Sequence, residues 1–174
     1  LSEIERLQRK LAEISGMYEQ GTASTQVSLR DVSAALPDSA TLIEYYKYNH
    51  TDKHDQRSAR YAATILNHSG LIANVDLGSA KPIDAAARIW IDDFSAPQML
   101  SNERTSRLSA KLQALIWGPV ASYFESTRLI LISPDGTLNG VAFQALKSSD
   151  HRYLIEYSAI HYLSSARDVL RWNN

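Results

Sequence analysis

The chain's 174 residues amount to about one ordinary domain, and its 44% hydrophobic and 21% charged content suits a chain that buries a core and excludes a disordered one. Its 18 basic and 19 acidic side chains leave a formal net charge of −1, so no global field draws it to nucleic acid or anionic lipid, and both partners are set aside. There is no cysteine, which removes disulfides, thiolate metal sites and a cysteine nucleophile from this chain while leaving its compartment open.

No apolar run approaches the ~20 residues of a membrane span, and the charged, amphipathic opening is not a signal peptide. The chain starts at Leu1 instead of Met. That is read as a segment processed or excised from something longer, a start an engineered chain would share. Leu1, Ile4, Leu7, Leu11 and Ile14 recur at steps of three and four and predict one apolar helix face, with Gly16 as a stop signal. Such a short helix needs something to dock on. It either packs on its own domain or forms the tail of an upstream helical array. Gly21–Ser28 reads as a linker, which divides the chain into a helix with linker over 1–22 and a domain over 23–174.

Ser28 to Val32 opens a short helix that Leu36-Pro37 terminates, because the residue before proline is steered out of the α region. Three strand candidates follow over Thr41–Tyr48, Arg60–Leu66 and Leu71–Leu77. Asn67-His68-Ser69-Gly70 is short enough for a hairpin, and the connection lengths make all three strands antiparallel. Pro82 suits the first turn of a helix whose apolar stripe is Ile83, Ala86, Ala87, Trp90 and Phe94. A second helix covers about Asn102–Trp117, with Leu108, Leu112, Leu115 and Ile116 inward and Arg104, Arg107 and Lys111 on the solvated side. Gly118-Pro119 breaks it and restarts a short helix through Phe124. Leu129–Ile132 reads as a strand buried on both faces, ended by the turn Ser133-Pro134-Asp135-Gly136. The state of Val141–Leu146 is open; Ser158–Leu163 is a strand and Ser165–Trp172 a helix, with Arg167 and Asp168 in a capping or ion-pair role at its start. The expected fold is α/β: a mixed sheet with covering helices and an antiparallel hairpin region towards one edge.

The chemistry-bearing residue types form few constellations. His50 and His54 stand four apart in HTDKHD beside Asp52 and Asp55, a ligand spacing on a helix, but the segment is a polar loop. His68 sits in a turn, His151 in a polar connection, and His161 within a strand, where it is expected partly buried. No serine stands in a Gly-x-Ser-x-Gly elbow and no glycine-rich phosphate loop occurs. Glu44 and Asp76, on expected neighbouring strands, are a carboxylate pair only by type. No catalytic, metal or cofactor residues are assigned. Asp135-Gly136 favours a tight turn with positive φ at the glycine. If the preceding strand is parallel to its neighbours, this turn lies where open α/β sheets place ligands. Asp135, Gly136, Asn139, Glu156 and Arg167 are the candidate structural or interface residues.

From Leu42 to Arg171 the succession resembles the opening part of a CHAT domain. The resemblance is carried by LIEYYKY (Leu42–Tyr48), VDLGSAKPIDAAARIW (Val75–Trp90), LIWGPV (Leu115–Val120), LILISPDGTLNGVAFQAL (Leu129–Leu146) and YLIEYSAIHYLSSARDVL (Tyr153–Leu170). Val141 and Ala142 depart from the apolar residue and proline that the family usually places there. The resemblance implies a caspase-like architecture, commonly found behind tetratricopeptide repeats, and catalysis by a His–Cys dyad with the histidine in a His-Gly context. Neither occurs here, so both would lie downstream of Asn174. What the resemblance implies for this chain is a non-catalytic amino-terminal segment of a cytoplasmic cysteine peptidase module, or a protein-interaction scaffold from an inactive parent. Its implied partners are the carboxy-terminal catalytic half and upstream helical repeats. If the chain is such a subdomain, its surface facing the absent half is expected to be apolar and to pair with itself, the edge strands of the sheet being the expected place.

Overall fold

A computed structural model describes residues 27–70, 72–95, 102–125, 127–147 and 152–171. The helix expected over Leu1–Ile14, most of the linker after it and His151 lie outside the described residues. The first described element is helix α1, Leu29–Ala35. Ser28 caps it: Asp31 N–H donates to Ser28 Oγ at 3.2 Å while Ser28 N–H donates to Asp31 Oδ2 at 2.8 Å, which satisfies two otherwise orphaned donors. Leu36, ahead of Pro37, is extended and ends the helix. Ser28→Ala is expected to lower folding stability by about 1 kcal/mol in urea unfolding, the usual worth of such a cap.

Three strands follow: β1 (Ala40–Thr51), β2 (Arg57–Asn67) and β3 (Ile72–Ser79). They pair antiparallel, Glu44 opposite Thr64 and Thr64 opposite Asn74, as their short connections require. Helices α2 (Ala80–Ser95) and α3 (Asn102–Ile116) come next, then a 3-10 helix over Gly118–Phe124. Strand β4 (Leu129–Ser133) enters parallel to β1, and β5 (Ala159–Tyr162) adds parallel to β4. The sheet is therefore five-stranded and mixed, in the order β3-β2-β1-β4-β5, with the antiparallel meander forming one side.

Alternation along the strands splits the core. One face carries Ile43 and Tyr45, Tyr61 and Ile65, and Ile130 and Ile132 under the apolar stripe of α2 and the Leu112–Ile116 side of α3. The other carries Leu42, Leu66 and Leu131 under Val32 of α1, Leu36 just after it, and Ala166 and Val169 near the carboxyl end. β4 is central, so Ile130, Leu131, Ile132 and Ser133 are all buried, which explains its unbroken apolar run. In α2, Ile83, Ala86, Ala87 and Trp90 are buried at helical spacing.

Several expectations change in detail. The helix expected over Ser165–Trp172 is a 3-10 helix over Ala166–Arg171, begun by the Asp168 carboxylate accepting Ser164 N–H and Ser165 N–H at 3.1 and 3.0 Å. Val141–Leu146 holds a 3-10 turn, Phe143–Ala145, which buries Phe143 against Tyr45 with ring centroids 5.3 Å apart. His161 is exposed instead of partly buried, because β5 is an edge strand and its helical cover begins only beyond Leu163. Glu44 and Asp76 are not on neighbouring strands, since β2 separates β1 from β3. Asp76 instead pairs with Arg60 at 2.5 Å.

Candidate site at the carboxyl end of strand β4

β4 is parallel to both neighbours, so the turn that ends it lies at the carboxyl edge of the parallel part of the sheet. There Asp135 caps a 3-10 helix, Gly136–Gly140, by accepting Gly136 N–H on Oδ1 at 2.7 Å. Its second oxygen accepts Lys47 N–H from β1 at 2.8 Å. Asn139 Nδ2 donates to Gly136 O at 3.1 Å, closing the turn on itself. Gly136 has φ 56°, in the left-handed region that the turn needs and that glycine enters without a Cβ penalty.

Beneath the turn lies a polar network joining three elements. Tyr61 of β2, fully buried, donates its hydroxyl to Asp84 Oδ1 at 2.9 Å and accepts Thr137 N–H at 3.1 Å. Lys47 Nζ of β1 reaches Asp84 Oδ2 of α2 at 2.6 Å and lies 5.6 Å from the Tyr61 ring centroid. Burial raises the Tyr61 phenol to about 12, with its bond to Asp84 adding to the rise. Burial also works to raise the Asp84 carboxyl, but the bonds it accepts from Lys47, Tyr61 and Thr137 outweigh it and hold the group below its ordinary value. At neutral pH the network is thus an ammonium, a carboxylate and a protonated phenol, each engaged with the others. It offers no activated nucleophile; its chemistry is to fix the turn and align α2 with the sheet.

The structure brings Asp135, Gly136 and Asn139 into one turn but places Glu156 and Arg167 elsewhere, before and after β5. Glu156 Oε1 accepts Tyr153 N–H at 2.8 Å, and Arg152 Nε lies 3.5 Å from its other oxygen. Arg167 is exposed. Sequence reading missed Lys47, Tyr61 and Asp84, which come from two strands and a helix. No spacing links them; only the register that sets Lys47 opposite Tyr61 does.

The histidines take structural surroundings. His50 lies in β1, one residue before its end, and His54 lies in the following turn, where Asp52 Oδ1 accepts the N–H groups of His54 and Gln56 at 2.8 and 3.0 Å. His68 donates from Nδ1 to Leu36 O at 2.7 Å, tying the β2–β3 turn to the end of α1. Among the described residues no group of three His, Cys, Asp or Glu side chains is placed to hold a metal ion. Arg107 and Lys111 are exposed on α3, while the Arg104 side chain lies outside what is described.

A mixed α/β sheet covered by helices, with a fixed turn at the end of its central parallel strand, is the class of structure these features define. The CHAT domain family model matches residues 106–174, a stretch that runs from within α3 through β4, its turn and β5. Three of the five motifs singled out above fall within the match; LIEYYKY and VDLGSAKPIDAAARIW precede it. No curated protein matches the chain. Among the described residues no helix is long and apolar enough to cross a membrane.

Proposed function

We propose that this chain is the amino-terminal, non-catalytic part of a caspase-like CHAT cysteine peptidase module, in which it buttresses the catalytic half and shapes access for substrate or partner. One observation carries the reading: a CHAT match over residues 106–174 occurs in a sequence without cysteine and without a His-Gly pair. A cysteine peptidase needs a thiolate to attack and an imidazole to serve as its base, so on this reading both come from sequence outside the chain. The internally satisfied network under the β4 turn agrees with a supporting role, since it holds backbone in place and leaves no reactive group exposed. On the same reading the domain begins near residue 23, upstream helical repeats join through residues 1–22, and the module works in the cytoplasm.

The test is to express the chain joined to the sequence that follows it in its reading frame and to assay peptide cleavage. Cleavage lost on replacing the His-Gly histidine or the later cysteine is the expected result; cleavage indifferent to that cysteine refutes the peptidase reading. A second reading, a protein-interaction scaffold from an inactive parent, is favoured by the exposed Tyr153, Ile155 and Tyr157 within one short segment. It prevails if the parent lacks the His-Gly and cysteine pair.

A further inference from the structure

The two faces of the sheet are covered unequally. α2 and α3 lie over one face, from Ile43 past Tyr45 on β1 and across Tyr61 on β2. On the other, α1 and the 3-10 helix after β5 bury Leu42, Leu66 and Leu131, and their cluster ends there. Alternation and unbroken pairing carry that face onward along β1 and β2 through Glu44 opposite Thr64, Tyr46 opposite Ala62, and Tyr48 opposite Arg60. β3 borders it with the polar Asn74 and Asp76, the pattern of a face turned to water. Tyr46 and Tyr48 break that pattern. Their rings lie 5.9 Å apart beside the small Ala62, and among the described residues neither core cluster includes them.

The chain itself leads a cover to this strip. Val27, the first described residue, packs on the α1 core and lines one cavity with Glu44, so the preceding chain leaves the domain where the cover stops. Leu29, which lines the same cavity, is exposed beside it. Upstream stands the apolar stripe Leu1, Ile4, Leu7, Leu11 and Ile14, which predicts a helix too short to persist without a docking surface. At ~1.5 Å per residue that helix spans ~21 Å. β1 covers about the same length from Glu44 to His50, ~20 Å at ~3.3 Å per residue. Residues 15–26 can extend to ~40 Å, ample for the stripe to fold back over the strip. Tethering holds the stripe there at an effective concentration on the order of millimolar, an advantage that a second copy or a separate partner lacks.

We propose that residues 1–14 dock as a helix on the Tyr46–Tyr48 strip of their own domain, with Leu7 and Leu11 over the tyrosine rings and Ala62. The stripe gains the apolar surface it needs, and the α1 side of the sheet becomes a continuous helical layer. This inference does not rest on the peptidase reading.

Tyrosine nitration of the 174-residue chain, read by mass spectrometry, tests it. Tyr46 and Tyr123 are each 38% exposed, so Tyr123 is a matched control. Shielding by residues 1–14 should make Tyr46 react several-fold more slowly than Tyr123. Leu7→Asp with Leu11→Asp should abolish the difference and leave Tyr123 unchanged, while circular dichroism and the thermal transition check that the domain stays folded. The absence of cysteine permits a second measurement that leaves Leu11 and both tyrosines in place. Leu7→Cys with Thr64→Cys should join within one chain under a short cross-linker. Leu7→Cys with Ile89→Cys, exposed on α2 across the sheet, should not. Equal nitration of Tyr46 and Tyr123 in the parent chain overturns the proposal. So does shielding that survives the two aspartates, which would assign it to another segment. Cross-links formed only between chains overturn it too, since the occupant would then be a second copy.

Discussion

Gly136→Ala is expected to lower folding stability by about 2–4 kcal/mol, made up of left-handed strain on a residue with a Cβ and the loss of hydrogen bonds at a buried hydroxyl. A Cβ built on Gly136 would stand 2.5 Å from Tyr61 Oη and 3.3 Å from Lys47 Cδ. The tyrosine cannot swing aside cheaply. It is fully buried, and its hydroxyl is engaged with both Asp84 and Thr137. Gly78 provides the control: its φ is 89° and an added Cβ there meets nothing within 4 Å, so Gly78→Ala carries the strain without the collision. Urea unfolding of the two variants separates the terms, and Gly136→Ala should be the more costly. Tyr61→Phe removes the colliding oxygen, so the cost of Gly136→Ala should shrink in that background, a coupling that a double-mutant cycle reads directly. Equal costs at Gly136 and Gly78 would mean that the turn does not rest on Tyr61.

Asp84→Ala is expected to cost about 2 kcal/mol at neutral pH, because it strips Lys47 of a charge-assisted bond and Tyr61 of its acceptor. The pH dependence has a definite sign. The Asp84 carboxyl is held below its ordinary value of 3.8 in the fold. Its stabilisation is therefore complete above 3.8 and is lost as pH falls through the lower, folded value. The gap in unfolding free energy between the parent and Asp84→Ala should be constant from neutral pH down to that region and close below it. The Asp76 carboxyl, also held low by Arg60, titrates in both proteins and cancels from the difference. A gap that persisted unchanged in strong acid would show that Asp84 acts by packing and not by charge.

What the residues announced before any coordinates was mostly local. Pro82, Pro37 and Pro119 mark helix boundaries because proline's fixed φ and missing N–H act within a turn. The stripe Ile83, Ala86, Ala87 and Trp90 marks a buried helix face because its period is a property of the helix alone. Asn67 to Gly70 foretold the hairpin, and Asp135-Gly136 the positive-φ turn, since both depend on a few adjacent backbone angles. The CHAT resemblance, too, was carried by short segments in order, and the match over residues 106–174 covers the later ones.

Long-range geometry was different. Nothing in the sequence put β4 between β1 and β5, and on that placement rest the burial of Ile130–Ser133 and the exposure of His161; the separation of Glu44 from Asp76 rests in turn on β2 lying between β1 and β3. Lys47, Tyr61 and Asp84 meet only because the β1–β2 register and the docking of α2 bring residues far apart in the chain within hydrogen-bonding distance. The amino-acid order by itself determined the strands β1 to β5, the helices α1 to α3, the turns between them and the lack of a thiol, for each is set by neighbouring residues or by composition. Which strands become neighbours, and which polar side chains close the turn after β4, were decided by tertiary packing, because those contacts exist only once distant segments share one sheet.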